Sequence, residues 1–168
     1  MNPLVSIIMG STSDLPVMEK AAQVLDNFGI PFEMNALSAH RTPEEVEKFA
    51  REASGRGLKV IIAAAGMAAH LPGVIAAFTS LPVIGVPVRV SFDGLDSVLS
   101  ILQMPPGIPV ATVGVNAAEN AAILASQIIG TGDEKIRKEV ESYKEGLKQK
   151  IVEANKELKK LRFRHKTN

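Results

Sequence analysis

Two hydrophobic periods alternate along the chain. Val5–Met9, Val60–Ala64 and Pro82–Val88 are almost purely apolar, the pattern of strands buried on both faces. Phe32–Leu37 and Ile108–Val115 complete a set of five predicted strands. Between them fall segments with helical spacing. Leu15 to Phe28 is closed by Gly29 and Pro31, and Pro43 to Ser54 opens with Thr42 and Glu45 in capping-box spacing. Pro72 to about Ser80, Leu95 to Leu102 with Asp93 or Gly94 near its cap, and Asn116 to Ile129 with Asn116 as its cap complete the series. Gln103–Gly107 is a stiff turn.

From about Asp133 the pattern changes to one long helix. Its apolar stripe is Ile136, Val140, Tyr143, Leu147, Ile151, Ala154, Leu158 and Leu161, with Gly146 a weak point within it. A stripe this narrow and long is expected to project from the domain and pack along a neighbouring subunit. The division expected is therefore a catalytic domain over 1–132 and a C-terminal helix over 133–168. Five strand–helix alternations predict an α/β fold with a parallel sheet covered on both faces.

Composition narrows the chemistry. The 168 residues suffice for one domain with a substantial core. No cysteine is present, which removes disulfides and thiolate metal sites, and three histidines without helical pairing make a zinc site an unfavoured reading. The first apolar run is short and lacks a basic lead, and no run is long enough to span a bilayer, so a cytoplasmic protein without membrane partners is expected. Net charge is +1, but residues 1–132 carry 7 basic and 11 acidic groups against 12 and 7 in residues 133–168. Acidic residues are interspersed through that basic end without aromatic platforms, favouring a solvated helix face over a nucleic-acid surface.

Polar segments follow the first three strands, where parallel sheets place ligands. Gly10-Ser11-Thr12-Ser13-Asp14 leads into a helix N-terminus and suits a phosphate, although capping by Ser13 or Asp14 would explain it equally. It is neither a Walker loop nor GxGxxG. Ser38-Ala39-His40-Arg41 supplies a planar charged fork and a group that exchanges protons near neutrality; a surface ion pair is the plainer role for Arg41. Ala65-Gly66-Met67-Ala68-Ala69-His70 offers nearly bare backbone before Leu71-Pro72, and its histidine either serves a site or merely packs. Together these residues suit a phosphorylated sugar or nucleotide undergoing metal-free proton transfer, which does not name the reaction.

GSTSD, SAHRTP, AAHLPG, LPVIGVPV and DSVLSILQMPPGIPVATV, in that order, resemble the class I family of N5-carboxyaminoimidazole ribonucleotide mutases across nearly the whole domain. The resemblance implies a three-layer αβα sandwich with a flavodoxin-like sheet, a homo-octamer, a ribonucleotide substrate and neither metal nor organic cofactor. It implies that Ser11 and Arg41 hold the phosphate and Asp14 the ribose, with Ser13 assisting. Ser38 and Ala39 would line the pocket, His40 would be the acid/base, and Gly66, Ala68, Ala69, His70 and Leu71 would form the loop over the imidazole and its carboxylate. His40 and His70 are the catalytic candidates. The implied reaction releases carbon dioxide from the carbamate, traps it, and returns it to ring carbon 4.

Met67 departs from the family, which usually has two adjacent glycines at Gly66-Met67. Pointing outward it leaves the chemistry untouched; pointing inward it alters scope or rate. Related carboxylases that take free carbon dioxide usually carry lysine at the Arg41 position and a different third loop. A carboxylase of a nicotinate-derived cofactor shares the Ala-Gly-Met opening but lacks SAHRTP and HLPG. A non-catalytic nucleotide-binding scaffold is the alternative outside enzymes, and the pairing of two histidines with Asp14 and Arg41 argues against it.

Overall fold

The computed structural model describes residues 2–168. Five parallel strands, β1 (Val5–Met9), β2 (Phe32–Ala36), β3 (Val60–Gly66), β4 (Val83–Val88) and β5 (Ala111–Thr112), lie in the order β2-β1-β3-β4-β5. Six α-helices accompany them: α1 (Leu15–Asn27), α2 (Pro43–Ala53), α3 (Leu71–Phe78), α4 (Leu95–Leu102), α5 (Ala118–Gly130) and α6 (Glu134–Lys160). The order reverses direction between β1 and β3, the switch point of a flavodoxin-like sheet.

Strand alternation divides the core into two. Val5, Ile7 and Met9 of β1 and Val60, Ile62 and Ala64 of β3 pack with α1 and α5, whereas Ile8, Ile61, Ala63 and Ala65 pack with residues of α2, α3 and α4. Both faces are dry, so β1, β3 and β4 have no exposed position and read in sequence as apolar runs. This is the three-layer αβα sandwich expected.

Several local expectations change. Strand β3 runs two residues further than the sequence break suggested, because Ala65 and Gly66 keep pairing with Pro87 and Val88. Strand β5 is only Ala111–Thr112: the prolines before it remove ladder donors, and it lies at the sheet edge. The Thr42–Glu45 capping box does not form. Thr42 occupies the N-cap position, but its hydroxyl accepts from the Ser38 N–H at 3.0 Å and donates to the Ser38 carbonyl at 3.2 Å, tying the loop instead of the helix. Asn116 is likewise not the cap of α5; at φ 56° its Oδ1 accepts from the Arg89 N–H at 3.0 Å, leaving Ala117 at the N-cap.

Helix α6 begins as expected, with Asp133 accepting from the backbone of Lys135 and Ile136. Ile136 and Val140 are buried, and Tyr143 meets Phe28 edge-on at 5.6 Å while donating to Glu119 on α5. Beyond Tyr143 the stripe is exposed, and Leu161 caps the helix from outside it. Among the described residues, no helix is long and apolar enough to cross a membrane.

Candidate active site

Register aligns the strand ends so that four loops emerge on one edge. Met9 pairs with Ala36 and Ala64, and Gly66 with Val88, bringing the segments after β1, β2, β3 and β4 together at the switch point. They enclose a cavity of about 250 Å³ lined by Gly10, Ser11, Ser13, Asp14, Ser38, Ala39, His40, Arg41, Ala65, Gly66, Met67, Ala68, His70, Leu71 and Val90.

The loop after β1 tightens into a 3₁₀ turn, Thr12–Asp14, capped by Ser11, whose hydroxyl accepts from the Ser13 N–H at 3.3 Å. Capping thus falls to Ser11, and neither Ser13 nor Asp14 performs it with a side-chain bond. Asp14 is 8% exposed despite its charge. Burial pushes its carboxyl above the ordinary carboxylate range, against the opposing pull of a backbone hydrogen bond from Ser11, the Ser13 hydroxyl and the Arg41 guanidinium. A carboxyl so placed is primed to accept hydroxyl donors once a ligand excludes water.

Arg41 is held on three sides. Its Nη2 donates to the Gly10 carbonyl at 2.8 Å, its Nε to the Ser38 hydroxyl at 3.3 Å, and its backbone N–H to the same hydroxyl at 3.2 Å. The guanidinium therefore bridges the first two loops instead of forming a surface ion pair. Held so, its planar charged fork, suited to an anion, shares the cavity with Ser11 and Ser13.

His40 Nε2 and His70 Nδ1 lie 2.7 Å apart, with rings 4.9 Å between centroids and nearly perpendicular at 86°. One of these nitrogens donates its N–H to the other, the tautomers setting which. Among the described residues no cluster of three or more His, Asp or Glu converges on a metal position.

The remaining candidates divide. Ser13, Ala39, Gly66, Ala68 and Leu71 line the cavity, but Ala69 does not: it is 1% exposed and packed into the core beside Leu71 and Ile75. Gly10 and Ala65 line the cavity from within the segments that the sequence marks, and Val90 joins it from outside them. Val90 was legible in principle, since it follows a parallel strand on the same edge, but its loop lacks a chemical signature.

Met67 lies on the cavity wall with φ 55°, the left-handed region, and is 56% exposed. Such a conformation costs a residue other than glycine about 1–2 kcal/mol. At the preceding Gly66 there is no room for a side chain, since a Cβ would sit 2.5 Å from the Val90 side chain.

The AIR carboxylase family model matches residues 4–150. The N5-carboxyaminoimidazole ribonucleotide mutase of Pyrococcus horikoshii is 54% identical over 160 residues, 95% of this chain and 90% of that protein. A phosphoribosylaminoimidazole carboxylase of Candida albicans is 59% identical over 143 residues, 84% of this chain but 25% of that protein. The crystal structure of Treponema denticola PurE superimposes with TM-score 0.85 at 38% identity, covering 94% of this chain and 99% of that one.

Proposed function

The chain belongs to the AIR carboxylase family, and from that premise we propose that it is an N5-carboxyaminoimidazole ribonucleotide mutase. It moves the carboxylate from the exocyclic nitrogen to ring carbon 4, giving 4-carboxy-5-aminoimidazole ribonucleotide in purine synthesis. The observation that carries this reading is the His40–His70 contact of 2.7 Å on the same edge as Arg41 and Asp14. A binding scaffold has no use for a proton-sharing pair beside a phosphate anchor.

Arg41 and Ser11 fix the phosphate, Ser13 supports the turn, and Asp14 accepts from the ribose hydroxyls. His40 protonates the exocyclic nitrogen as the carbamate N–C bond breaks and its electron pair returns to nitrogen, freeing carbon dioxide. The enamine electrons of the ring then form the bond from carbon 4 to that carbon dioxide. His40 removes the proton from carbon 4, restoring aromaticity, so the imidazole ends as it began. His70 orients His40 and shares its proton. Ser38, Ala39 and the small residues Gly66 and Ala68, with Leu71, leave room for the base and little for water.

Carboxylation of aminoimidazole ribonucleotide by free carbon dioxide is the second reading, favoured by the Candida relative. That activity, however, is named for a protein of which this chain covers 25%. Rearrangement of the carbamate, followed by ultraviolet absorbance without added bicarbonate, metal or nucleotide, separates the two. Turnover only there establishes the mutase; efficient turnover of aminoimidazole ribonucleotide at modest bicarbonate makes the chain a carboxylase. The exposed stripe of α6 supports assembly as a homo-octamer.

A further inference from the structure

The geometry points to Met67 as the residue that keeps carbon dioxide inside the site during transfer. This rests on the mutase reading, in which carbon dioxide is free between the breaking of one bond and the making of the next. A small apolar molecule held by no charge is kept only by walls.

Three observations converge on Met67. It sits in the left-handed region at φ 55°, a backbone state L residues rarely adopt and one that surrounding structure must enforce. Its neighbour fixes where the turn falls: Gly66, the last residue of β3, still pairs with Val88 of β4, a Cβ on it would lie 2.5 Å from the Val90 side chain, and the chain leaves the strand at Met67. Yet the side chain delivered by this turn is not spent on the core. It is 56% exposed, and it borders the cavity together with Val90, 60% exposed. Two exposed apolar side chains thus border the same cavity as Asp14, Arg41 and the two imidazoles.

Methionine suits such a position. Its unbranched thioether has enough rotatable bonds to swing aside for a nucleotide and to lie over it afterwards. Folded over the bound ring, it covers the carbamate side of the pocket with an apolar, polarisable group that offers water no partner. His40 and His70 perform the proton steps either way; Met67 decides how often carbon dioxide is recaptured before it escapes. The residue is therefore a determinant of commitment, not of chemistry.

The test uses the full chain and unlabelled N5-carboxyaminoimidazole ribonucleotide in buffer holding ¹³C-bicarbonate, with carbonic anhydrase to keep dissolved carbon dioxide labelled. Label in the product carboxylate is read by mass spectrometry at low conversion, after subtraction of the enzyme-free background. The parent should carry little label, Met67→Leu should match it, and Met67→Gly and Met67→Ala should each incorporate several-fold more. Equal label in the parent and both truncated variants, with rearrangement proceeding in all, overturns the role of Met67. A parent already labelled to the level of the pool overturns it too, since nothing is retained. A parent that does not rearrange the substrate instead refutes the mutase reading itself, which the unlabelled absorbance assay reports separately.

Discussion

His40 and His70, thirty residues apart in sequence, share a hydrogen bond of 2.7 Å between Nε2 and Nδ1. The loops after β2 and β3 are not neighbours in the sheet: β1 lies between those strands. The contact therefore joins loops on either side of β1, whose own loop lines the same cavity with Ser11 and Asp14. The register of three strands thus sets the two imidazoles relative to Ser11, Asp14 and Arg41.

Replacing His40 by Asn removes the proton donor and acceptor while preserving much of the shape. General acid–base groups contribute roughly 10²- to 10⁴-fold, so kcat should fall by that order with KM little changed. His70→Asn should cost less in kcat and should alter the shape of the pH–rate profile, because the partner that shares His40's proton is gone. Steady-state kinetics of rearrangement across pH 5–9 check both. Unchanged kcat in His40→Asn would remove the acid/base role from that residue.

Arg41 poses a different question, since it ties two loops together and is the phosphate anchor we propose. Lys in its place keeps the charge but not the fork that reaches Gly10 and Ser38. A charged hydrogen bond contributes about 1.5–3 kcal/mol, which predicts a KM raised roughly ten- to hundredfold for Arg41→Lys. The retained chemistry should leave kcat within a few-fold of the parent. A fall in kcat at constant KM would instead place Arg41 on the reacting end of the substrate.

Asp14 makes stability depend on pH in a definite direction. Its carboxyl titrates above 3.8 in the folded chain, chiefly because it is buried. Between that ordinary value and the raised one the folded state holds more protons than the unfolded state, so stability falls as pH rises through the window. The favourable contribution is complete below 3.8 and is lost above the folded value. Above that window the buried carboxylate charge works against the folded state. Asp14→Asn should raise the melting temperature at pH 7, and the gain should shrink toward pH 4, while KM for the ribonucleotide rises. Melting curves at the two pH values decide it; a gain independent of pH would mean that the carboxyl is not the cause.

Sequence carried most of the frame because dry strands leave an unmistakable apolar signature. Each of β1, β3 and β4 was visible as a run, and Gly29 and Pro43 marked helix ends that the chain adopts. What sequence could not resolve were competitions between equally competent partners. Thr42 had the spacing for a capping box, yet the Ser38 backbone sat closer in the folded loop. Asn116 had the chemistry of a cap but was taken by the Arg89 N–H. At the site, spacing identified the loops and not their facing: Ala69 turns into the core while its neighbours Ala68 and His70 face the cavity. Val90 joins the cavity from the loop after β4, on the edge where the other loops lie.

The last half of α6 tests the assembly. Through Tyr143 the helix is anchored on α1 and α5, but beyond it Leu147, Ile151 and Leu158 are exposed along one stripe. Its ion pairs, among them Lys148–Glu145 and Lys156–Glu153, are solvent-facing and supply a few tenths of a kcal/mol each at most. A helix with so little holding it gains stability from burying its apolar face, and our proposal is that the same stripe of a second copy covers it. In sedimentation experiments the parent should run near eight times 17.9 kDa. Ile151→Glu combined with Leu158→Glu places two charges in that seam and should lower both the assembled mass and the melting temperature. Helix propensity is nearly unaffected by these changes, so a smaller particle would report the lost interface and not a melted helix. Should the parent sediment as a monomer, or the double variant assemble normally, the stripe is not the contact that joins the subunits.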